Sequence, residues 1–260
     1  MRLRTQISAT FVCAIGLLNA AITQAETNQR LSFELDVMPV LTAAGCNAGA
    51  CHGKQRGQNG FQLSLLGFDA DFDYEAIVHQ GRGRRLNPAA PEQSLLLAKA
   101  VGAVPHGGGA KLQSESERYQ VIHRWIQQGM PRQSDEDPTL VSISVGPPQR
   151  VLDRNEQLPL IVEATYSDGS TRDVTGVTAY QSNEPAIVAV DDSGMMTAGE
   201  LAGEASIMAR YMGHIATWNT AITREGEIND RVYDRLPRWN FIDDIVWQRL
   251  QELNLRPSDA

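Results

Sequence analysis

Gly45-Cys46-Asn47-Ala48-Gly49-Ala50-Cys51-His52-Gly53 puts two thiols and an imidazole within one short segment, and its reading sets the expectation for the first half of the chain. Two cysteines with a histidine directly after the second are the residue types that covalent haem attachment uses. Each thiol adds across a vinyl group, and the adjacent imidazole binds the iron from the proximal side. The usual motif has two residues between the cysteines, whereas this one has Asn47, Ala48, Gly49 and Ala50. The extra residues must loop out, and Gly49 supplies backbone freedom for that.

The same residues admit other chemistry. In an oxidising compartment Cys46 and Cys51 can close a small disulfide ring, leaving His52 and His106 as polar surface residues. A zinc set of Cys46, Cys51, His52 and His106 can be assembled, but it lacks the paired spacing from which structural zinc sites draw their last ligands. A nucleophilic cysteine lacks a base and an orienting carboxylate in a recognisable order. No constellation argues for an enzyme.

The N-terminus indicates the compartment. Arg2 and Arg4 precede an apolar run from Phe11 to Ala21 and a small-residue cleavage site at Thr23-Gln24-Ala25, the pattern of a secretory signal over residues 1–25. Thr10-Phe11-Val12 ahead of Cys13 lacks the small residue of a lipidation site. Export places the mature chain in the periplasm or outside the cell, with no transmembrane helix after cleavage. Of the three cysteines, Cys13 leaves with the signal, so Cys46 and Cys51 must act as a pair. The formal charge of −8 becomes more negative without Arg2 and Arg4. An acidic chain with no basic block has no electrostatic footprint for nucleic acid.

From Asp36 to Arg132 the pattern is helical, with long turn-rich connections. Helices are predicted from Val37 to Ala43, Asp71 to His79, Ser94 to Val101 and Ser114 to Gln128. In the last, Ser114 and Glu117 form a capping box, Tyr119, Ile122, Trp125 and Ile126 recur at helical spacing, and Gly129 with Pro131 ends the run. Arg82-Gly83-Arg84-Arg85 reads as a cationic docking patch, as a partner for haem propionates, or as a solvated loop.

This order resembles a small class I cytochrome c. Gly45 to Gly53, Pro105-His106-Gly107-Gly108-Gly109 and Arg124-Trp125-Ile126-Gln127-Gln128-Gly129 are similar to the cytochrome-type domain of large secreted planctomycete proteins. The resemblance implies one covalent haem c, held by Cys46 and Cys51 with His52 as proximal ligand. It also implies a sixth ligand from the loop ahead of the last helix, where His106 lies, in preference to His79, His123 or Met130. Function would then be electron transfer to a redox partner that the sequence does not name.

After Met130 the period changes to two. Val141 to Val145, Gln157 to Tyr166, Thr171 to Val174, Ile187 to Val190, Met195 to Ala198, Ala205 to Tyr211 and His214 to Thr223 alternate as strands, with Ser167-Asp168-Gly169-Ser170 as a tight turn. Short strands with frequent turns indicate a β-sandwich. Tyr180-Gln181-Ser182-Asn183-Glu184, Ile187-Val188-Ala189-Val190-Asp191 and Gly203-Glu204-Ala205-Ser206-Ile207 are similar to bacterial Ig-like domains of group 2. That implies a spacer or adhesion module facing a cell-surface or envelope partner. Phe241, Ile242, Ile245, Val246, Leu250 and Leu253 form an apolar helical stripe, and Asn240 to Ser258 looks like the opening of the next planctomycete module.

The expected fold is multi-domain: an all-α cytochrome c-like domain (32–134), an all-β Ig-like sandwich (139–224) and a short C-terminal helical segment (229–260). The expected function is an exported haem c electron carrier. The alternative is a haem-free secreted or cell-surface binding protein with a Cys46–Cys51 disulfide.

Overall fold

The structure, a computed structural model, describes residues 30–226 and 228–258. The expected signal at 1–25 lies outside them. The described residues build mainly small antiparallel β-sheets, preceded and followed by short helices.

Near the N-terminus a π-helical turn, Phe33–Val37, runs into α1 (Met38–Ala43). Ser32 caps it by accepting a hydrogen bond from the Leu35 N–H, and Pro39 sits in the first turn of α1, where a missing N–H costs nothing. Next come α2 (Ala70–Tyr74), continued by a π-helical turn at Glu75–His79, then α3 (Leu95–Ala100) and α4 (Glu117–Gln127). The cap of α4 is Ser116, which accepts from the Tyr119 N–H, and not the expected Ser114. The predicted aromatic face is present: Tyr119, Ile122, Trp125 and Ile126 are all buried. Trp125 packs on Phe33 with centroids 5.5 Å apart, and its indole N–H donates to the Pro131 carbonyl at 2.9 Å. Burial of such a ring contributes about 2–3 kcal/mol, and the polar edge is satisfied as well.

An all-α cytochrome c-like domain does not form. Among the described residues before Leu140, no continuous helical run is longer than about three turns, and Phe33–Ala43, Ala70–His79, Leu95–Ala100 and Glu117–Gln127 are joined by irregular chain. Local sequence explains this. Turns at Gly57, Gly60, Gly67, Gly81, Gly83, Gly102 and Gly109 take positive φ, which a continuing helix cannot accommodate. The region has a core of its own, from Leu31 to Ile126, but is not separate from the sheets, because Leu35 is buried among Val162, Ala164, Tyr166 and Tyr211.

Nine strands follow among the described residues: β1 (Leu140–Gly146), β2 (Gln157–Pro159), β3 (Ile161–Tyr166), β4 (Thr171–Asp173), β5 (Ala179–Ser182), β6 (Val188–Val190), β7 (Met195–Ala198), β8 (Gly203–Tyr211) and β9 (His214–Ile222). They form three antiparallel sheets in the orders β1-β3-β4, β2-β7-β6 and β5-β8-β9. The sequence alternation is realised in β8, where Ala205, Ile207, Ala209 and Tyr211 point inward. The predicted single run from Gln157 to Tyr166 divides at buried Leu160, whose N–H donates to Gly194 O at 2.9 Å, so its halves join different sheets. Strand β5 was absent from the sequence expectation.

The helical and β parts touch closely. Tyr211 shares a 2.9 Å hydrogen bond with Tyr166 and donates to the Leu35 carbonyl at 3.3 Å. Arg118 on α4 donates to the carbonyls of Gly176 at 2.6 Å and Asp192 at 2.8 Å. At the C-terminal end lie α5 (Arg231–Asp234) and α6 (Phe241–Glu252), the latter opened by a capping box of Asn240 and Asp243. The stripe of α6 does not pack in place as a unit: Phe241, Ile242, Ile245 and Val246 are exposed, and Leu253 is buried just beyond the helix. An ion pair between Arg249 and Glu204 joins α6 to β8.

Candidate functional site

Cys46 to Gly53 folds as a chain of tight turns directly after α1. The Cys46 N–H donates to Leu41 O at 2.9 Å, the Cys51 N–H to Ala48 O at 2.9 Å, and the His52 N–H to Cys46 O at 3.0 Å. Asn47 pins the loop from inside: it is fully buried, its amide donates to Thr42 Oγ1 at 2.8 Å, and its carbonyl accepts from the Leu66 N–H at 3.0 Å. Gly53 closes the turn against that same carbonyl, where an added Cβ would stand 1.9 Å from the oxygen. Only glycine fits there.

His52 is aimed by its surroundings. Its Nδ1 lies 2.9 Å from Phe61 O, its carbonyl accepts from the Leu63 N–H at 2.9 Å, and its ring rests on Phe61 at a centroid distance of 4.5 Å. A carbonyl can only accept, so Nδ1 carries the proton and Nε2 keeps the lone pair. His106 repeats the arrangement in the loop after α3, with Nδ1 2.9 Å from Gly109 O. The two rings lie 6.2 Å apart between centroids and 6° from parallel.

These groups meet at one cavity of about 490 Å³. Cys46, Cys51, His52 and His106 all line it, together with Leu41, Leu63, Leu95, Leu96, Leu112 and Ile122. Such a volume and apolar lining fall in the range of small-molecule sites. Charge on the wall is one-sided: Arg84, Arg85, Lys99 and Lys111 line it with no aspartate or glutamate. Arg85 is buried and committed to structure, donating to Ala76 O at 2.9 Å and Gln80 O at 2.7 Å, with its guanidinium 4.5 Å from the Phe61 ring centre. Lys99 reaches Pro105 O at 2.9 Å and so steadies the His106 loop.

Electrostatics follow from burial. Removal from water pushes the Cys46 thiol up to about 11, so it stays protonated at neutral pH. Burial holds His52 below the usual imidazole range, and the His106, Arg85 and Lys99 charges push the same way. Both cysteines are free thiols, so the disulfide ring of the alternative is not formed.

The other sequence candidates lie elsewhere. His79 is exposed and edges onto Tyr74, His123 stacks on Tyr119 near Glu92, and Met130 packs against the helical core. Sequence reasoning missed Lys99, Lys111 and Phe61, since no periodicity marks a residue that reaches a cavity from a loop or a helix end. Arg84 and Arg85 were singled out, as a docking patch, as partners for haem propionates or as a solvated loop.

A scan against protein-family models matches none. A stretch of 72 residues, 28% of this chain, is 44% identical to an S-layer-related protein of Niallia circulans. The chain spans 4% of that relative's length. Among solved structures, the S-layer protein rSbsC(31–844) aligns over 36% of this chain and 14% of its own, at 17% identity and a TM-score of 0.29. SbsC domains 4 and 5 align over 33% of this chain and 53% of their own, at 18% identity and a TM-score of 0.28.

These findings correct the haem expectation. The matched relative is named for a surface layer and not as a cytochrome. Among the described residues, no group of three or more histidine, cysteine or acidic side chains is placed to hold a metal ion. The haem c cofactor and the electron-carrying function are therefore set aside. Among the described residues no helix is long and apolar enough to cross a membrane.

Proposed function

We propose that this chain is a haem-free binding protein of the cell surface or envelope, exported through a signal at residues 1–25. In this reading residues 139–224 form an Ig-like spacer or adhesion module. Residues 32–134 carry a small-molecule site at Cys46, Cys51, His52 and His106, and residues 229–260 form a short helical segment. The observation that carries the proposal is the 44% identity over 72 residues to an S-layer-related protein. The three small antiparallel sheets, with their alternating inward and outward residues, are the architecture that surface spacers commonly use.

Fractionation of producing cells tests it. The native protein is expected in the envelope or medium, lacking its first residues by N-terminal sequencing. Recovery in the cytoplasm with Met1 or Arg2 still at the N-terminus would overturn the proposal.

A further inference from the structure

The cavity beside Cys46 and His106 has a charge pattern opposite to that of the chain. The protein as a whole carries −8, yet four cationic side chains and no acid line an otherwise apolar space of about 490 Å³. Leucines and Ile122 exclude water from its interior, while Arg84, Lys99 and Lys111 carry charge on long flexible stems. Unlike Arg85, whose donors are satisfied by three backbone carbonyls, Arg84 and Lys111 are not consumed in holding the fold. Phe61, His52 and His106 add flat faces to the wall. With Nδ1 engaged on both rings, Nε2 is the nitrogen left with the lone pair.

We infer that this cavity binds an amphipathic organic anion, a molecule with an apolar body and a carboxylate or sulfonate end. The body displaces water from the leucine-lined space, and the anionic end pairs with Arg84, Lys99 and Lys111. Neutral and cationic molecules of the same shape gain the first contribution and lose the second. Selectivity thus comes from charge. The inference concerns binding by the folded chain and holds wherever the protein resides, so it stands or falls apart from the envelope assignment.

The test titrates the purified full chain with 8-anilinonaphthalene-1-sulfonate and follows its fluorescence, then competes with laurate or with dodecyltrimethylammonium. Saturable one-to-one binding is expected, displaced by laurate and not by the cationic chain. The Lys99→Gln/Lys111→Gln variant should bind about tenfold more weakly, a loss of about 1.4 kcal/mol, because two charges near a partly dehydrated anion are removed. Its circular dichroism should match the parent, and its melting temperature should fall only by what the exposed contact of Lys99 to the Pro105 carbonyl contributes. An Ala44→Phe variant, which fills the wall from the end of α1, should lose the signal. No saturable binding, equal displacement by the two chains, or full affinity in a folded lysine variant would each overturn the inference.

Discussion

His52 and His106 face one another with near-parallel rings, 6.2 Å between centroids, each held by an Nδ1 contact to a backbone carbonyl of its own loop. Neither loop contains regular helix at its histidine, so the pair is set by turn hydrogen bonds and by the glycines that let those turns close. Four expectations follow from this and from the packing around it.

Gly53 is the most sensitive backbone position of the site. Gly53→Ala forces a methyl carbon into the Asn47 carbonyl, so the turn must open and carry His52 away from Phe61. A stability loss of about 1–3 kcal/mol is expected in urea unfolding, together with loss of probe fluorescence at the cavity. A variant as stable as the parent that still binds the probe would show that the turn is not held as described.

Asp36 gives stability a pH dependence of known sign. Burial raises its carboxyl above the usual range, against the opposing hydrogen bond from the Ser32 N–H and the charge of Arg172. The folded state therefore binds the proton more tightly than the unfolded state, and this contribution falls as pH rises from the ordinary carboxylate value through the raised one. Asp36→Asn should flatten that fall and narrow the gap in melting temperature between acidic and neutral pH. An unchanged slope would remove Asp36 as its source.

His52 should titrate in the other sense. Its folded-state value lies below that of free imidazole, so it stays neutral into mildly acidic solution, and its contribution to stability is lost as pH falls through the folded value. Proton-detected imidazole resonances should show His52 protonating below the usual imidazole range. Bound anion should move the His52 midpoint upward, and a midpoint indifferent to ligand would separate His52 from the binding site.

Tyr211 couples the helical and β parts. Tyr211→Phe removes the hydroxyl shared with Tyr166 and with the Leu35 carbonyl, leaving buried Tyr166 without that partner. A loss of about 1–2 kcal/mol is expected, and with Trp239→Phe and Trp247→Phe in the background the fluorescence of Trp125 and Trp218 should follow a single unfolding transition in the chain that keeps Tyr211. Two transitions of that chain, one per tryptophan, would contradict a shared core.

Much of the β part was legible because alternation is a local signal: β7 was expected at its observed bounds, and β8 and β9 within two residues of theirs. Strand β5 escaped because Ala179-Tyr180-Gln181-Ser182 has only weak alternation and is defined by pairing with β8, a distant partner. The aromatic face of α4 was legible for the same local reason as β8. The all-α expectation failed where glycine turns and the burial of Leu35 among sheet residues decided the outcome, which no helical period records. At the site, Cys46, Cys51, His52 and His106 were found from residue type and order, and the structure places all four on one cavity wall. The haem they suggested came from a motif whose spacing departs from the usual one, and chemistry shared by several uses of cysteine and histidine cannot choose among them.

The proposed haem-free identity as a surface or envelope protein has a plain spectroscopic signature. Its most direct test is the visible absorption spectrum and intact mass of the protein isolated from its own cells, with a pyridine haemochrome assay. The account predicts the mass of the processed polypeptide with no Soret or α band. A Soret band with a haemochrome spectrum, and a mass increased by one covalently attached haem, would contradict it.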